Sequence, residues 1–157
     1  MENKDKQQKT YYQTIITTQQ LLDNLYNTDW LILDCRGAVV SDSCAFQAYT
    51  KDHIPTAHYC SINNHDDTSK ATKRFHIDDF FEETLVSTEL MEHGFNKNSQ
   101  IIIYDDTDNP TTDMFWLALK SMGIKNVAVL QGGYDAWNKN KYPLCGNQIK
   151  PILKPTD

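Results

Sequence analysis

Short, continuous apolar runs constrain the fold of this chain more than any other feature. Residues 30–33 (Trp-Leu-Ile-Leu) lead into Asp34, and residues 100–104, with three consecutive isoleucines, lead into Asp105. Residues 127–130 form a third such run. A strand that is apolar at every position, and not only at alternate ones, is typical of a sheet covered on both faces. The sequence therefore predicts several strands buried inside one sheet.

Segments with helical spacing separate these strands. A short helix begins after Thr17 or Thr18, and residues 134–137 open the last helix. Residues 111–122 predict a helix that is apolar almost all round, which we expect to be deeply buried. Residues 63–76 are polar and predict irregular structure. Strands that alternate with helices indicate the α/β class with a doubly wound parallel sheet, which binds ligands at the carboxyl ends of its strands.

Length and patterning divide the chain into three parts. At 157 residues, one compact domain is expected. Residues 1–12 predict a disordered leader, residues 13–145 carry the strand and helix patterns, and residues 146–157, with two prolines, predict a tail or linker.

The charge of the chain limits its partners. Fifteen basic and 21 acidic side chains give a formal net charge of -6. Such a balance provides no attractive field for nucleic acid or an anionic membrane, so neither is a predicted partner. No apolar run reaches membrane-spanning length, and the N-terminus is polar. A cytoplasmic location is expected.

The cysteines are isolated from one another in the sequence. No Cys-x-x-Cys pair occurs, and the histidines form no group with ligand spacing. The spacing therefore predicts neither a zinc site nor a redox dithiol, and no metal ion or other cofactor. The four thiols are Cys35, Cys44, Cys60 and Cys145.

Three segments, in order, resemble signatures of the rhodanese family. Residues 31–36 close an apolar strand with Asp-x-Arg, and residues 53–57 read His-Ile-Pro-Thr-Ala, where the family has His-Ile-Pro-Gly-Ala. Residues 131–137 contain the family's closing Gly-Gly-x-x-x-Trp. The resemblance covers about residues 14–144. It implies a rhodanese-like, doubly wound, five-stranded parallel sheet with helices on both faces.

The resemblance also implies where the family's chemistry would lie. In these sulfurtransferases, a cysteine after the fourth strand carries sulfur as a persulfide, held by main-chain amides at a helix N-terminus. Asp105 occupies the position of that cysteine. The remainder of the loop has no cysteine, glycine, lysine or arginine; its residues are Asp106, Thr107, Asp108, Asn109, Pro110 and Thr111.

Asp105 opposes sulfur transfer in two ways. A carboxylate is a weak nucleophile toward sulfur and cannot hold a persulfide. Clustered aspartates also repel a dianionic donor such as thiosulfate, by about 4 kcal/mol per close contact at an effective dielectric of 20. We therefore predict a vestigial loop without a catalytic residue. This pattern resembles the non-catalytic N-terminal domain of two-domain thiosulfate and 3-mercaptopyruvate sulfurtransferases.

Two other motifs allow more than one interpretation. Asp34 and Arg36 could mark the rim of a pocket, although pairing with each other or with nearby main chain is favoured. His53, inside a turn signature, is interpreted as a structural hydrogen-bonding residue and not as a base.

Three hypotheses about function follow. In the first, the domain is inactive alone and plays a structural or regulatory role by binding a protein, such as an active rhodanese domain. In the second, it is part of an active sulfurtransferase whose cysteine lies in a second domain, or it uses another thiol, Cys44 or Cys60. In the third, Asp106-Thr107-Asp108 binds magnesium and accepts a phosphoryl group, as in haloacid-dehalogenase-type phosphotransferases. The matching lysine and later acidic pair of that family are absent from the sequence.

Overall fold

A computed structural model describes residues 10–37, 42–61, 74–76, 87 and 90–146 of the chain. The helices are α1 (Thr18–Asp23), α2 (Asp42–Lys51), α3 (Pro110–Ser121) and α4 (Gly133–Lys139). The strands are β1 (Ile15–Ile16), β2 (Trp30–Asp34), β3 (Asp52–His53), β4 (His58–Ser61), β5 (Arg74–His76), β6 (Gln100–Tyr104), β7 (Val127–Leu130) and β8 (Cys145–Gly146).

The main sheet is parallel throughout. Its strand order is β1-β7-β6-β2-β4-β5, and every pair of neighbours is parallel. This confirms the predicted doubly wound α/β sheet. The edge strand β5 is an addition, since residues 74–76 lie in a segment predicted to be irregular, and pairing with β4 makes them a strand. Strands β3 and β8 form a separate antiparallel pair.

The apolar strands are buried on both faces, as predicted. All five residues of β2 and all five of β6 are buried. Each apolar side chain buried in this way contributes about 1.5–3 kcal/mol. One face packs against α3 through a cluster that includes Leu31, Leu33, Ile101, Ile103, Phe115 and Leu119. The opposite face packs against α1, α2 and α4 through Leu21, Ile32, Tyr49, Ile102, Tyr104 and Trp137.

Helix α3 is only half buried, so the prediction of deep burial is wrong. Phe115 and Leu119 face the sheet, whereas Met114 is 48% exposed and Leu117 is 61% exposed. A helix in an outer layer covers the sheet with one side only, and here the opposite side also carries apolar residues. No helix in the described part of the chain is long and apolar enough to cross a bilayer.

The helix starts follow local sequence rules. Thr17 caps α1 by accepting a 3.1 Å hydrogen bond from the amide of Gln20, whose side chain accepts one of 2.9 Å from the amide of Thr17. Asn109 caps α3, where Pro110 occupies the first turn. The cap predicted at Thr17 or Thr18 is therefore confirmed at Thr17.

One residue of the predicted leader and one of the predicted tail are joined to the domain. Tyr12 exchanges two hydrogen bonds of 2.7 Å with the Gln100 side chain and packs edge-on against Trp30. Gly146 pairs with Asp52. The rest of the predicted leader, residues 1–9, and of the predicted tail, residues 147–157, lies outside the described residues.

Candidate functional site

The candidate site lies where the central strands β2 and β6 end side by side. Asp34 is in register with Tyr104, the last residue of β6, and Asp105 follows directly after that strand. All three side chains are buried. The segment from 105 to 111, here named the acidic loop, leads from β6 into α3. The parallel sheet thus places the two aspartates that close the apolar runs at one edge.

Asp34 and Arg36 form a buried ion pair. The Arg36 Nη2 lies 2.6 Å from Asp34 Oδ2, and Nε lies 3.0 Å from Asp34 Oδ1. The same Nη2 donates to the carbonyl oxygens of Asp52 at 2.6 Å and Ala48 at 3.2 Å. Asp34 is 1% exposed and Arg36 is 5% exposed. The two predicted rim residues therefore bind each other and the main chain, and offer no free charge at a pocket rim.

Two tyrosines complete the surroundings of this pair. Tyr104 donates a 2.8 Å hydrogen bond to Asp34 Oδ2, and the Tyr134 ring lies over the guanidinium of Arg36 at 4.4 Å. Tyr134 also donates to Asp52 Oδ1 at 2.8 Å. Partial burial and this hydrogen bond raise the pKa of Tyr134 to about 12.

The ion pair keeps Arg36 charged in spite of its burial. Burial alone lowers the pKa of the guanidinium, but the hydrogen bonds and charge of Asp34 raise it above its ordinary value. Burial, followed by the charge of Asp34, also raises the pKa of Tyr104. The charge of Arg36 is thus neutralised by Asp34 inside the domain, where an anionic ligand cannot reach it.

His53 is held as a structural residue. Its Nδ1 lies 2.7 Å from the carbonyl oxygen of Tyr49, so Nδ1 carries the proton and donates. The imidazole stacks on the Tyr49 ring at a centroid distance of 3.7 Å. Burial lowers the pKa of His53. These contacts agree with the structural interpretation of this histidine.

The turn after His53 contains a strained threonine. Thr56 has a φ of 74°, in the left-handed region that disfavours a β-branched residue. It stands where the related motif has glycine. Its hydroxyl lies 3.5 Å from the carbonyl oxygen of Leu25, and a hydrogen bond of this length offsets little of the backbone strain.

Asp105 is buried at the start of the acidic loop. It is 6% exposed, and its Oδ1 accepts a 2.6 Å hydrogen bond from the amide of Asp106. Burial raises the pKa of Asp105; the Asp106 amide opposes this shift, and the carboxylates of Asp106 and Asp34 add to it. Within the rest of the loop, Asp106 and Asp108 are exposed.

The acidic loop is fastened to the start of α4 by main-chain hydrogen bonds. The carbonyl oxygens of Asp105 and Asp106 each accept a 2.9 Å bond from the amides of Tyr134 and Asp135. The Asp108 carboxylate accepts a 2.8 Å bond from the amide of Gly132. Amides at a helix start are common anion sites, and here the loop itself occupies them.

A cavity of about 340 Å³ opens beside the loop. Asp108 and Asp113 supply its charged lining, and Ile15 and Val129 supply apolar lining. Carboxylates without a basic side chain make this lining unfavourable for an anionic sulfur donor.

The described residues contain no cluster of three histidine, cysteine, aspartate or glutamate side chains able to hold a metal ion. Asp106 and Asp108, the proposed magnesium ligands of the third hypothesis, thus have no third side-chain ligand within that part of the chain. One Asp108 oxygen is already bound to Gly132.

The two thiols named as substitutes for the missing nucleophile lie in different environments. Cys44 is exposed on α2, whereas Cys60 is completely buried in the sheet. Cys35 is also completely buried, and Cys145 is half-buried. A sulfur donor can therefore reach Cys44 in the folded domain but not Cys60.

Sequence patterns identify Asp34, Arg36 and the acidic loop, but not the residues that enclose them. Asp52 and Tyr134 are distant in sequence and come together only through folding. The position of Tyr134, directly after the glycine pair, was the one local signal for its approach to the loop.

Comparison with known proteins agrees with this architecture. The chain is 33% identical over 149 residues to a "Probable 3-mercaptopyruvate sulfurtransferase" of Pseudomonas aeruginosa, covering 91% of this chain and 50% of that protein. Two solved structures show the same fold. SseA from Escherichia coli, a 3-mercaptopyruvate sulfotransferase, has a TM-score of 0.63 at 22% identity, over 85% of this chain and 52% of the other. The Alr3790 protein from Anabaena has a TM-score of 0.58 at 19% identity, over 87% and 85%.

The extent of these matches bears on function. The chain spans about half the length of the sulfurtransferases that it matches. The sequence profile of the Rhodanese-like domain matches residues 17–140, which include both β2 and the acidic loop. This chain therefore belongs to the rhodanese-like domain family.

Proposed function

We propose that this domain has no sulfurtransferase activity of its own and plays a structural or regulatory role by binding another protein. An active rhodanese-like domain is the favoured partner. The observation that carries the proposal is the burial of Asp105 at the position where the family resemblance expects the persulfide cysteine. A carboxylate there cannot carry sulfur.

The charges around Asp105 support the same proposal. Asp106 and Asp108 are exposed in the same loop, and Arg36, a buried cation whose charge acts on Asp105, is paired with Asp34. A thiosulfate dianion approaching the loop meets like charges, each costing about 4 kcal/mol at an effective dielectric of 20.

An assay of sulfur transfer from thiosulfate to cyanide tests the proposal. We expect the purified domain to form thiocyanate at the rate of buffer alone. The Cys44→Ser variant is the matched control, because Cys44 is the most accessible thiol. Turnover by the unmodified domain that disappears in Cys44→Ser or Cys60→Ser contradicts the proposal.

A second candidate function is that of one half of an active thiosulfate or 3-mercaptopyruvate sulfurtransferase. The half-length match to relatives with that printed activity favours it. The coding frame beyond Asp157 tests this candidate. The second candidate predicts that this frame encodes another rhodanese-like segment, with a cysteine directly after a buried strand. It also predicts that the whole product is active and loses its activity when that cysteine is replaced by serine.

We propose a reducing, cytoplasmic location, because the spacing of the four cysteines in the sequence does not suggest a disulfide framework. Magnesium-dependent phosphotransfer gains no support from the geometry of Asp106 and Asp108. Magnesium-dependent phosphatase activity that is lost in Asp106→Asn is the result that would restore it.

A further inference from the structure

Two buried cysteines lie next to each other, one directly after β2 and one in the neighbouring strand β4. Asp34 in β2 is in register with Tyr59 in β4, so the residues that follow them, Cys35 and Cys60, are also neighbours. Both side chains belong to the cluster on the α3 side of the sheet, and both are 0% exposed. Their separation along the chain conceals this pair from the sequence.

The geometry of the pair permits a covalent bond. The Cys35 thiol lies 3.8 Å from the carbonyl oxygen of Leu33, and the Cys60 thiol is near enough to raise the pKa of Cys35. Adjacent strands lie about 4.8 Å apart, within the range of about 4.4–6.8 Å between α-carbons that disulfides require. The amide of Cys35 donates a 2.8 Å hydrogen bond to the carbonyl of Tyr104, which continues the ladder and fixes Cys35 beside its neighbours. The spacing of the two strands is therefore compatible with a disulfide between Cys35 and Cys60 once both thiols have been oxidised.

We propose that Cys35 and Cys60 form an oxidisable dithiol, which hydrogen peroxide converts into a disulfide between the end of β2 and the neighbouring strand β4. One thiolate attacks the peroxide O–O bond, which gives a sulfenic acid and releases water. The second thiol then attacks the sulfenic sulfur, forms the S–S bond and releases a second water. Two thiols lose two electrons and two protons, and peroxide is reduced to two waters.

Burial controls when this reaction occurs. Burial first, and then the contact with Cys60 and the carboxylates of Asp34 and Asp105, raise the pKa of Cys35 well above its ordinary value. The thiol therefore stays protonated and protected while the strands are closed. Oxidation follows local opening of the sheet, so its rate reports that opening.

Oxidation has a defined structural consequence. The disulfide closes a loop that contains Arg36, α2 and the His53 turn. It therefore ties the segment that supplies the buried ion pair to β4, which restricts the opening that admitted the oxidant. This inference is independent of the proposed lack of sulfurtransferase activity.

The test uses the full chain with Cys44→Ser and Cys145→Ser, which leaves only the buried pair. The folded protein is treated with hydrogen peroxide, with and without urea below the unfolding transition. It is then unfolded, alkylated and digested for mass spectrometry. We expect both thiols to disappear together, a peptide linking Cys35 to Cys60 within one chain, and faster loss in urea. Dithiothreitol should restore both thiols.

Cys60→Ala on the same background is the matched control, and it should give no internal cross-link. If this control folds poorly, the peptide map of the protein that retains only Cys35 and Cys60 still shows whether the disulfide forms. The proposal is overturned if Cys35 and Cys60 remain alkylatable after peroxide has oxidised Cys44 in the unmodified chain. Cross-links between chains, or irreversible oxidation of one thiol alone, overturn it equally.

Discussion

The main-chain oxygen of Asp105 lies 2.5 Å from the point where a β-carbon on residue 133 would stand, so only glycine fits at Gly133. The amide of Tyr134 binds the same oxygen at 2.9 Å. The second glycine of the pair in the third rhodanese-like segment is thus required where the acidic loop packs against α4. It joins two segments that are distant in sequence.

Replacing Gly133 by alanine should destabilise the domain more than the same change at Gly94. Both glycines have positive φ, 61° and 87°, but a β-carbon at Gly94 meets nothing within 4 Å. Gly94→Ala should cost about 1–2 kcal/mol from backbone strain, and Gly133→Ala about 1–3 kcal/mol more from the clash. Urea unfolding curves measure both variants. Equal losses in the free energy of unfolding would show that the acidic loop can move away from the new β-carbon without destabilising the domain.

Thr56→Gly should stabilise the domain. Glycine removes the strain of a β-branched residue at a φ of 74°, and the expected gain is about 1 kcal/mol. For a domain of this size, this raises Tm by about 2–4 °C. Thr56→Ala is the control, because it removes the hydroxyl but keeps a β-carbon at the same φ. A lower Tm for glycine than for alanine would contradict the strain argument.

Arg36→Met should destabilise the domain strongly. The change leaves the Asp34 carboxylate, 1% exposed, without its cation, and such a loss costs about 3–5 kcal/mol. Adding Asp34→Asn should recover part of this cost, because it removes the unpaired charge. The free energies of unfolding of both single variants and the double variant measure this coupling. If the losses in free energy of unfolding of the two single variants add up to that of the double variant, the pair stabilises the domain through packing alone.

His53 should make the domain less stable in mild acid. Its pKa is lowered in the folded state, so below about pH 6.5, the ordinary histidine value, the unfolded chain binds more protons. Stability therefore falls as the pH drops through 6.5 toward the folded pKa. His53→Gln should flatten this part of the curve. Tm measured from pH 5 to pH 8 tests it, and an unchanged slope in the variant would assign the effect to another group.

Asp105→Cys should not create a sulfurtransferase. The new thiol would retain Asp106 and Asp108 as neighbours, and the carbonyls that follow β6 remain bound to α4. The register also places it beside Cys35, with which it can form a disulfide. We expect thiocyanate formation at the background rate, also with Cys35→Ala added. Clear turnover by either variant would show that the missing cysteine was the only obstacle.

Local patterns were sufficient to predict the central sheet. Residues 30–33, 101–104 and 127–130 are apolar at every position, and such runs are typical of strands in a sheet that is covered on both faces. The depth of α3 was not predictable in this way. Because α3 carries apolar residues such as Leu117 on both sides, its sequence does not indicate which side packs against the sheet.

The candidate site was predictable only in part. Asp34, Arg36 and Asp105 are identified by their positions at strand ends, which the family resemblance reinforces. The contacts of Arg36 with Asp52 and Tyr134 depend on how α2 and α4 pack, and short-range spacing contains no information about that packing. The proximity of Cys35 to Cys60 likewise arises from strand order.

The hydrogen bonds between the acidic loop and α4 have a thermodynamic consequence. When a metabolite accepts hydrogen bonds from a folded protein, the free energy of unfolding increases with the concentration of that metabolite. Here the carbonyl oxygens of Asp105 and Asp106 accept the hydrogen bonds of amides at the start of α4. We therefore expect the free energy of unfolding to be independent of the concentration of sulfur compounds.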